Sequence, residues 1–227
     1  MFFIHDKKKK IIYGWSAKSG CSHLKKLLKF LIFNKVNVVQ VHSNAEYGAF
    51  PVEYNEAYRI ILIVRNPYER LISGFLDKYT KPGPYLNRWK GPLTFRLFVQ
   101  ELFHHAFRTI DKHHFTPQLS EEWRDEIRTC KNVQVYDLKN IDYAYLETLY
   151  AKKIPNDILA FRGGHENSKP YKRDPRAADT DPRLFTDVRP FWQDFYVDAD
   201  IQLKVDTFYA ADFAYFQSLG LYTAALG

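Results

Sequence analysis

Between Ile11 and Leu24 an apolar run, Ile11-Ile12-Tyr13-Gly14-Trp15, gives way to a short polar loop, Ser16-Ala17-Lys18-Ser19-Gly20-Cys21, and then to an amphipathic stretch. This order predicts a strand, a loop carrying one lysine, and a helix in succession. The helix is expected from about Ser22 to Phe33, because Leu24, Leu27, Leu28 and Leu31 recur at helical spacing with lysines between them. Such a loop aims backbone N–H groups and the positive end of the following helix at one point, where a phosphate or sulfate is readily held. The loop departs from that of nucleotide triphosphatases, whose lysine directly follows the last glycine, since Lys18 precedes Gly20.

Further strands are expected at Val36 to Val41, at Arg59 to Val64 and at Val133 to Tyr136. Helical patterns run from Glu69 to Tyr79, from Leu93 to Arg108, from Ile141 to Lys153 and from Asp198 to Gly220. This alternation predicts an α/β fold with a central, mostly parallel sheet flanked by helices. No Gly/Ser-rich linker divides the 227 residues, so a single domain over 1–227 is expected. The connection from Ser43 to Tyr58, with Gly48 and Pro51, is long enough to suggest a functional loop.

The chain has two cysteines, Cys21 and Cys130, which argues against a disulfide framework and for a reducing compartment. Met1 to Asp6 places its apolar residues before the four lysines Lys7 to Lys10, unlike a signal peptide, and those lysines read as a solvated N-terminal face. No window has the length and apolarity of a membrane span, so a cytoplasmic protein or the soluble domain of a longer one is expected. The net charge of +7 favours anionic partners: a nucleotide donor, an acidic polysaccharide or nucleic acid. Nucleic acid is disfavoured because no recognised binding motif accompanies the lysines.

Lys18-Ser19-Gly20-Cys21-Ser22 resembles the phosphosulfate loop of sulfotransferases, in particular the Golgi-type branch that modifies carbohydrates (family 2), whose usual form is Pro-Lys-x-Gly-Cys-Thr. Arg65-Asn66-Pro67-Tyr68-Glu69-Arg70-Leu71-Ile72-Ser73-Gly74-Phe75 resembles the second signature of the family, near Val-Arg-Asp-Pro-Phe-Glu-Arg-Leu-x-Ser-x-Phe. Three more segments follow in the family's order: His113 to Gln118 resembles its His-Trp-x-Pro-Gln segment, Gly164 to Lys169 its late His-x-Asn-x-Ser loop, and Tyr209 to Phe216 its Tyr-x-x-Asp-Phe-x-x-Phe ending. The chain departs from the pattern at Ala17, where proline is usual, at Asn66, where aspartate is usual, and at Leu24, where many relatives have tryptophan.

The resemblance implies a P-loop-like sulfotransferase fold that moves a sulfuryl group from 3′-phosphoadenosine 5′-phosphosulfate (PAPS) to a carbohydrate hydroxyl, leaves 3′-phosphoadenosine 5′-phosphate (PAP) and requires no metal. It places the donor against Lys18, Ser19, Gly20, Cys21 and Ser22, its 3′-phosphate against Arg65 and Ser73, and its adenosine side under a late loop with Asn167, Ser168 and Lys169. Lys172 and Arg173 belong either to that loop or to a solvated basic face. Lys18 is the candidate for neutralising charge on the leaving oxygen, or only for binding phosphate. The acceptor's proton needs a base, and His42, directly after the second strand, is the leading candidate. Glu46 and Glu53 are the alternatives, since other branches use a glutamate near there. His114 and His165 are weaker candidates that would shape the acceptor cleft, and His104, His105 and His113 read as surface or interface residues without a recognised zinc spacing. Two other readings remain open from the residues alone: a nucleotide kinase, and a non-catalytic module that binds an acidic sugar or nucleic acid.

Overall fold

The computed structural model describes residues 1–35, 57–89, 91–104, 107, 110–119, 127, 130–161, 169–185 and 187–222. The expected strand Val36 to Val41, with His42, Glu46 and Glu53 after it, lies outside the described residues, as do His105, Asn167, Ser168 and His165. The chain separates into two compact units, one formed by 1–65 with 118–166 and the other by 66–117 with 167–227.

The first unit is built on a four-stranded sheet in the order β1 (Phe2–Asp6), β2 (Ile11–Trp15), β3 (Arg59–Val64) and β4 (Val133–Asp137). β2, β3 and β4 run parallel, with Trp15 opposite Ile63 and Val64 opposite Asp137, so all three end at one edge. β1 runs antiparallel to β2, with Phe3 opposite Gly14. Lys7 to Lys10, expected as a solvated N-terminal face, form the exposed turn of a hairpin, and the residues before them, for which no strand was expected, are an edge strand. Lysines at a hairpin tip beside an edge also discourage further strand pairing.

α1 (Cys21–Phe33) follows the loop after β2 and stops where Asn34 turns left-handed at φ 58°, its N–H bonded to the Phe30 carbonyl at 3.0 Å. Leu24, Leu27, Leu28 and Leu31 join Tyr13, Trp15, Ile61 and Ile63 in the core of this unit, together with Leu146 and Tyr150 of α6 (Tyr143–Tyr150) and Ile158 of α7 (Asn156–Leu159). Each such aliphatic side chain taken fully out of water contributes roughly 2 kcal/mol. The lysines between the leucines do not all face solvent: Lys25 and Lys29 are buried, and the Lys25 ammonium lies over the Phe2 ring at 4.9 Å. A buried chain of hydroxyls ties the hairpin to α6, with Tyr13 donating to Tyr150 at 3.1 Å and Tyr150 donating to Asp6 Oδ2 at 2.7 Å.

The second unit is helical. Asn66 caps α2 (Pro67–Tyr79) by accepting the Tyr68 N–H at 2.9 Å, with Pro67 in the first turn, so asparagine does the capping work open to aspartate there. Next come α3 (Pro84–Arg88), α4 (Phe95–Phe103), shorter than the expected 93–108, and α5 (Lys112–Phe115). The expected terminal helix is two, α8 (Ala199–Phe208) and α9 (Ala210–Ser218), meeting at Tyr209. The core of this unit is aromatic: Phe75, Tyr79, Phe95, Phe98, Phe115, Phe195 and Tyr196 pack ring against ring at centroid separations from 4.9 to 6.4 Å. Gly74 lets α2 approach this cluster, since a Cβ there would lie 2.6 Å from Phe115 Cε1. Among the described residues no helix is long and apolar enough to cross a membrane.

Candidate active site

The parallel strands bring three connections to one edge of the sheet in the first unit: the loop Ser16–Gly20 after β2, Arg65 after β3, and the 3₁₀ turn Leu138–Asn140 after β4. Ligands of open α/β sheets bind at this edge. Two loop residues adopt left-handed backbone, Lys18 at φ 68° and Gly20 at φ 74°. Glycine carries that conformation without cost, whereas lysine in it is strained by roughly 1–2 kcal/mol, a feature that clusters at functional loops. Gly20 also rests on Leu138, whose Cδ1 would lie 2.4 Å from an added Cβ.

Gly20 is the N-cap of α1 and contributes no side-chain hydrogen bond to the first turn of that helix. Cys21 and Ser22 occupy this turn, both partly exposed. The positive end of a helix, Lys18 and Arg65 together favour an anion, and the absent Cβ at Gly20 lets it approach the backbone. The Arg65 guanidinium is joined to the loop directly, Nη1 donating to the Lys18 carbonyl at 3.1 Å. The two sequence signatures therefore meet at Lys18 and Arg65.

Ser19 is fully buried, and its hydroxyl lies 3.0 Å from Ser16 Oγ and 3.0 Å from Gln118 Oε1. Ser16 Oγ also reaches Gln118 Oε1, at 3.2 Å. Gln118 then takes hold of the Arg65 backbone, its Oε1 accepting the N–H at 3.0 Å and its Nε2 donating to the carbonyl at 2.8 Å. In the sequence Gln118 ends the His113 to Gln118 motif and carries no legible task. The available signal was a serine on each side of the loop lysine, which left two hydroxyls in need of partners.

His23 is buried rather than turned to a ligand: Nδ1 lies 3.0 Å from the Phe161 carbonyl and Nε2 2.9 Å from the Tyr143 hydroxyl. A neutral ring donating through Nδ1 satisfies both partners, so it is a structural group.

In the second unit Ser73 sits partly exposed on α2, and Lys169 donates to the Phe185 carbonyl at 3.1 Å. The His113 to Thr116 segment is held by buried groups: Arg70 donates to the carbonyls of His114 at 3.1 Å and Thr116 at 2.9 Å, and the Tyr209 hydroxyl donates to that of Phe115 at 2.6 Å. Burial pushes the Tyr209 phenol well above its usual range, which keeps it a donor. Asp111 caps α5 through the His113 N–H at 3.1 Å and holds His114 Nδ1 at 2.5 Å, so His114 is oriented by a carboxylate. Arg173 reaches the buried Asp194 at 2.6 Å and covers the Phe191 ring at 5.5 Å, while Lys172 is exposed. Among the described residues no three His, Cys, Asp or Glu side chains gather as a metal site would require.

The chain is similar to carbohydrate sulfotransferase 8 of Mus musculus, 27% identical over an alignment of 119 residues that covers 47% of this chain and 28% of the relative. Carbohydrate sulfotransferase 8 of Homo sapiens is 26% identical over 119 residues, with the same shares. The match therefore spans less than a third of the length of these curated relatives. No solved structure matches. The profile of the sulfotransferase family matches residues 1–217, nearly the whole chain, and with the two signatures meeting at one sheet edge the protein belongs to the sulfotransferase family.

Proposed function

We propose that this sulfotransferase uses PAPS as its donor and a carbohydrate hydroxyl as its acceptor. The observation that carries the donor reading is the joining of Lys18 and Arg65 beside the N-terminus of α1, whose cap residue is a glycine, with one cation on a left-handed loop and one at the end of the neighbouring strand. The donor supplies the sulfuryl group and leaves as PAP. The backbone N–H groups of Gly20, Cys21 and Ser22, with the Ser22 hydroxyl, hold its 5′-phosphate, and the Lys18 ammonium neutralises charge that develops on the bridging oxygen as the bond to sulfur breaks. Of Ser19 only the backbone is assigned to the donor, because its hydroxyl is engaged beneath the loop.

Arg65 and Ser73 take the 3′-phosphate, the guanidinium by paired hydrogen bonds and the serine by one more. Ser168 and Lys169 are assigned to the adenosine side of the donor. His42 accepts the proton of the attacking hydroxyl, with Glu46 and Glu53 as the residues that replace it in this role if His42→Ala stays active. Positioning of the three reacting atoms in line supplies the rest, and Lys18 and Arg65 bring the positive charge that transfer requires. The carbohydrate acceptor is supported by the likeness to carbohydrate sulfotransferase 8 and by the basic net charge of +7.

Calorimetric titration with PAP beside ATP, in the absence of magnesium, tests the donor assignment. Micromolar binding of PAP with ATP much weaker is the expected result. Folded protein that fails to bind PAP overturns it, and tighter binding of ATP favours a kinase instead.

A further inference from the structure

We infer that Gln118 is a positioning residue for sulfuryl transfer, the group that sets the Lys18 loop and the Arg65 guanidinium in register with each other. The inference rests on the donor reading above. Gln118 is 1% exposed, and its amide meets four groups from two separate stretches of chain: the hydroxyls of Ser16 and Ser19, and both the N–H and the carbonyl of Arg65.

The proton count fits an amide and little else. Among the described residues three donors surround Oε1, yet the Ser16 and Ser19 hydroxyls lie 3.0 Å apart, so one of them donates to the other and two donors remain for the two lone pairs of Oε1. The Nε2 side then supplies the donor that the Arg65 carbonyl needs, at 2.8 Å. Gln118 thereby pairs with Arg65 as a neighbouring strand would, just beyond the last β3–β4 pair, Val64 with Asp137. A glutamate keeps the shape and the acceptor but loses the donor. An asparagine keeps both and falls one methylene short.

Ser16 and Ser19 bracket Lys18, and the Lys18 carbonyl is the group that Arg65 Nη1 meets. Fixing both hydroxyls and the Arg65 backbone to one rigid amide therefore fixes the left-handed turn that carries the lysine and the base of the side chain that carries the guanidinium. Without Gln118 the loop must find that arrangement anew each time donor binds, and the ordering cost appears as lost affinity.

The test measures PAP affinity by calorimetry and melting temperature together, for wild type, Gln118→Ala, the uncharged and similarly sized Gln118→Met, and Ile158→Ala as a control. Ile158 is fully buried in the core of the same unit and lies outside the loop network. We expect both Gln118 variants to raise the PAP dissociation constant about tenfold or more, about 1.4 kcal/mol, and the control to lower the melting temperature while leaving PAP affinity within about twofold. If Gln118→Ala does not fold, Gln118→Met and Ser19→Ala carry the same measurement, Ser19→Ala with a smaller loss that does not add to that of Gln118→Met. Gln118 variants that melt early but bind PAP like wild type overturn the positioning role and leave the donor reading standing. Wild type that fails to bind PAP overturns the donor reading, and this inference with it.

Discussion

In the first unit the Ser16–Gly20 loop is fastened from its buried side by neutral groups, two hydroxyls and one amide, and the side bearing Lys18, Cys21, Ser22 and Arg65 keeps part of its surface open. In the second unit the His114–Thr116 backbone is fastened by a cation and a phenol, Arg70 and Tyr209, and Phe115 is shut among aromatic rings. The first arrangement leaves a backbone surface for a ligand, and the second closes one. Neutral fasteners suit the first case, since a carboxylate beneath the loop would offset the positive charge an anion needs, and a further cation would lie unpaired beneath it. The charged fastener suits the second, where each buried carbonyl needs a strong donor.

The largest effect expected from breaking the first arrangement falls on turnover. Lys18→Ala should lower kcat by about a hundredfold or more, the usual cost of removing one stabilising donor from a transition state, with a smaller change in PAP affinity. Arg65→Ala should do the reverse, raising the PAP dissociation constant more than it lowers kcat. Steady-state kinetics beside calorimetry separates the two, and equal losses of both kinds in both variants would abolish the division of labour.

Breaking the second arrangement should be read in stability. Arg70→Met removes the donors to the His114 and Thr116 carbonyls from a site that is 1% exposed. The expected cost is about 3 kcal/mol, or a fall in melting temperature of roughly 6–12 °C for a chain of this size. A melting temperature within a degree or two of wild type would show that solvent or other donors replace the guanidinium.

Two glycines sharpen the contrast with smaller changes. Gly20→Ala meets a left-handed φ of 74° and the flexible tip of Leu138, which can yield, so its cost of about 1–2 kcal/mol should appear mainly as weaker PAP binding. Gly74→Ala meets the edge of the Phe115 ring at 2.6 Å inside a packed aromatic cluster, so its cost of about 1–3 kcal/mol should appear in thermal stability. Calorimetry and thermal melts on both variants decide whether the two regions respond in these different ways.

How far each region can be read from sequence follows the same division. β2, α1, β3 and α2 are legible because their signals are local: apolar runs, leucines at helical spacing, and Asn66-Pro67 at a helix start. β1 is not, because five residues before four lysines look like a tail until Phe3 is seen opposite Gly14. The break at Tyr209 lacks a proline or glycine, and it becomes intelligible only once the Tyr209 hydroxyl is seen on the Phe115 carbonyl. Within the site, the spacing of Lys18 and of Arg65 each carries a family signature. The partnership of Gln118 with Arg65, 53 residues away, depends on how the chain returns to the sheet edge. For Ser19 the motif named the residue but not the direction of its hydroxyl, which neighbouring side chains decide.

The smallest expected effect concerns acid, and it tests whether charge fastens the approach to the second segment as it does the segment itself. Burial acts to raise the pKa of the Asp111 carboxyl, but the hydrogen bond and charge of His114, with Lys78 and His113 beside it, outweigh burial and leave it below the usual carboxylate range. A carboxyl whose pKa is lower in the folded chain stabilises the fold above its unfolded value, near pH 4, and loses that contribution as the pH falls through the folded value. Asp111→Asn keeps an oxygen for the His113 N–H and removes the charge. Melting temperatures from pH 6 to pH 3 should therefore fall less steeply below pH 4 in Asp111→Asn than in wild type, with the variant less stable at pH 6. Parallel curves would mean that the Asp111–His114 pair contributes orientation without electrostatic stability, and that charge enters the fastening of this segment only through Arg70.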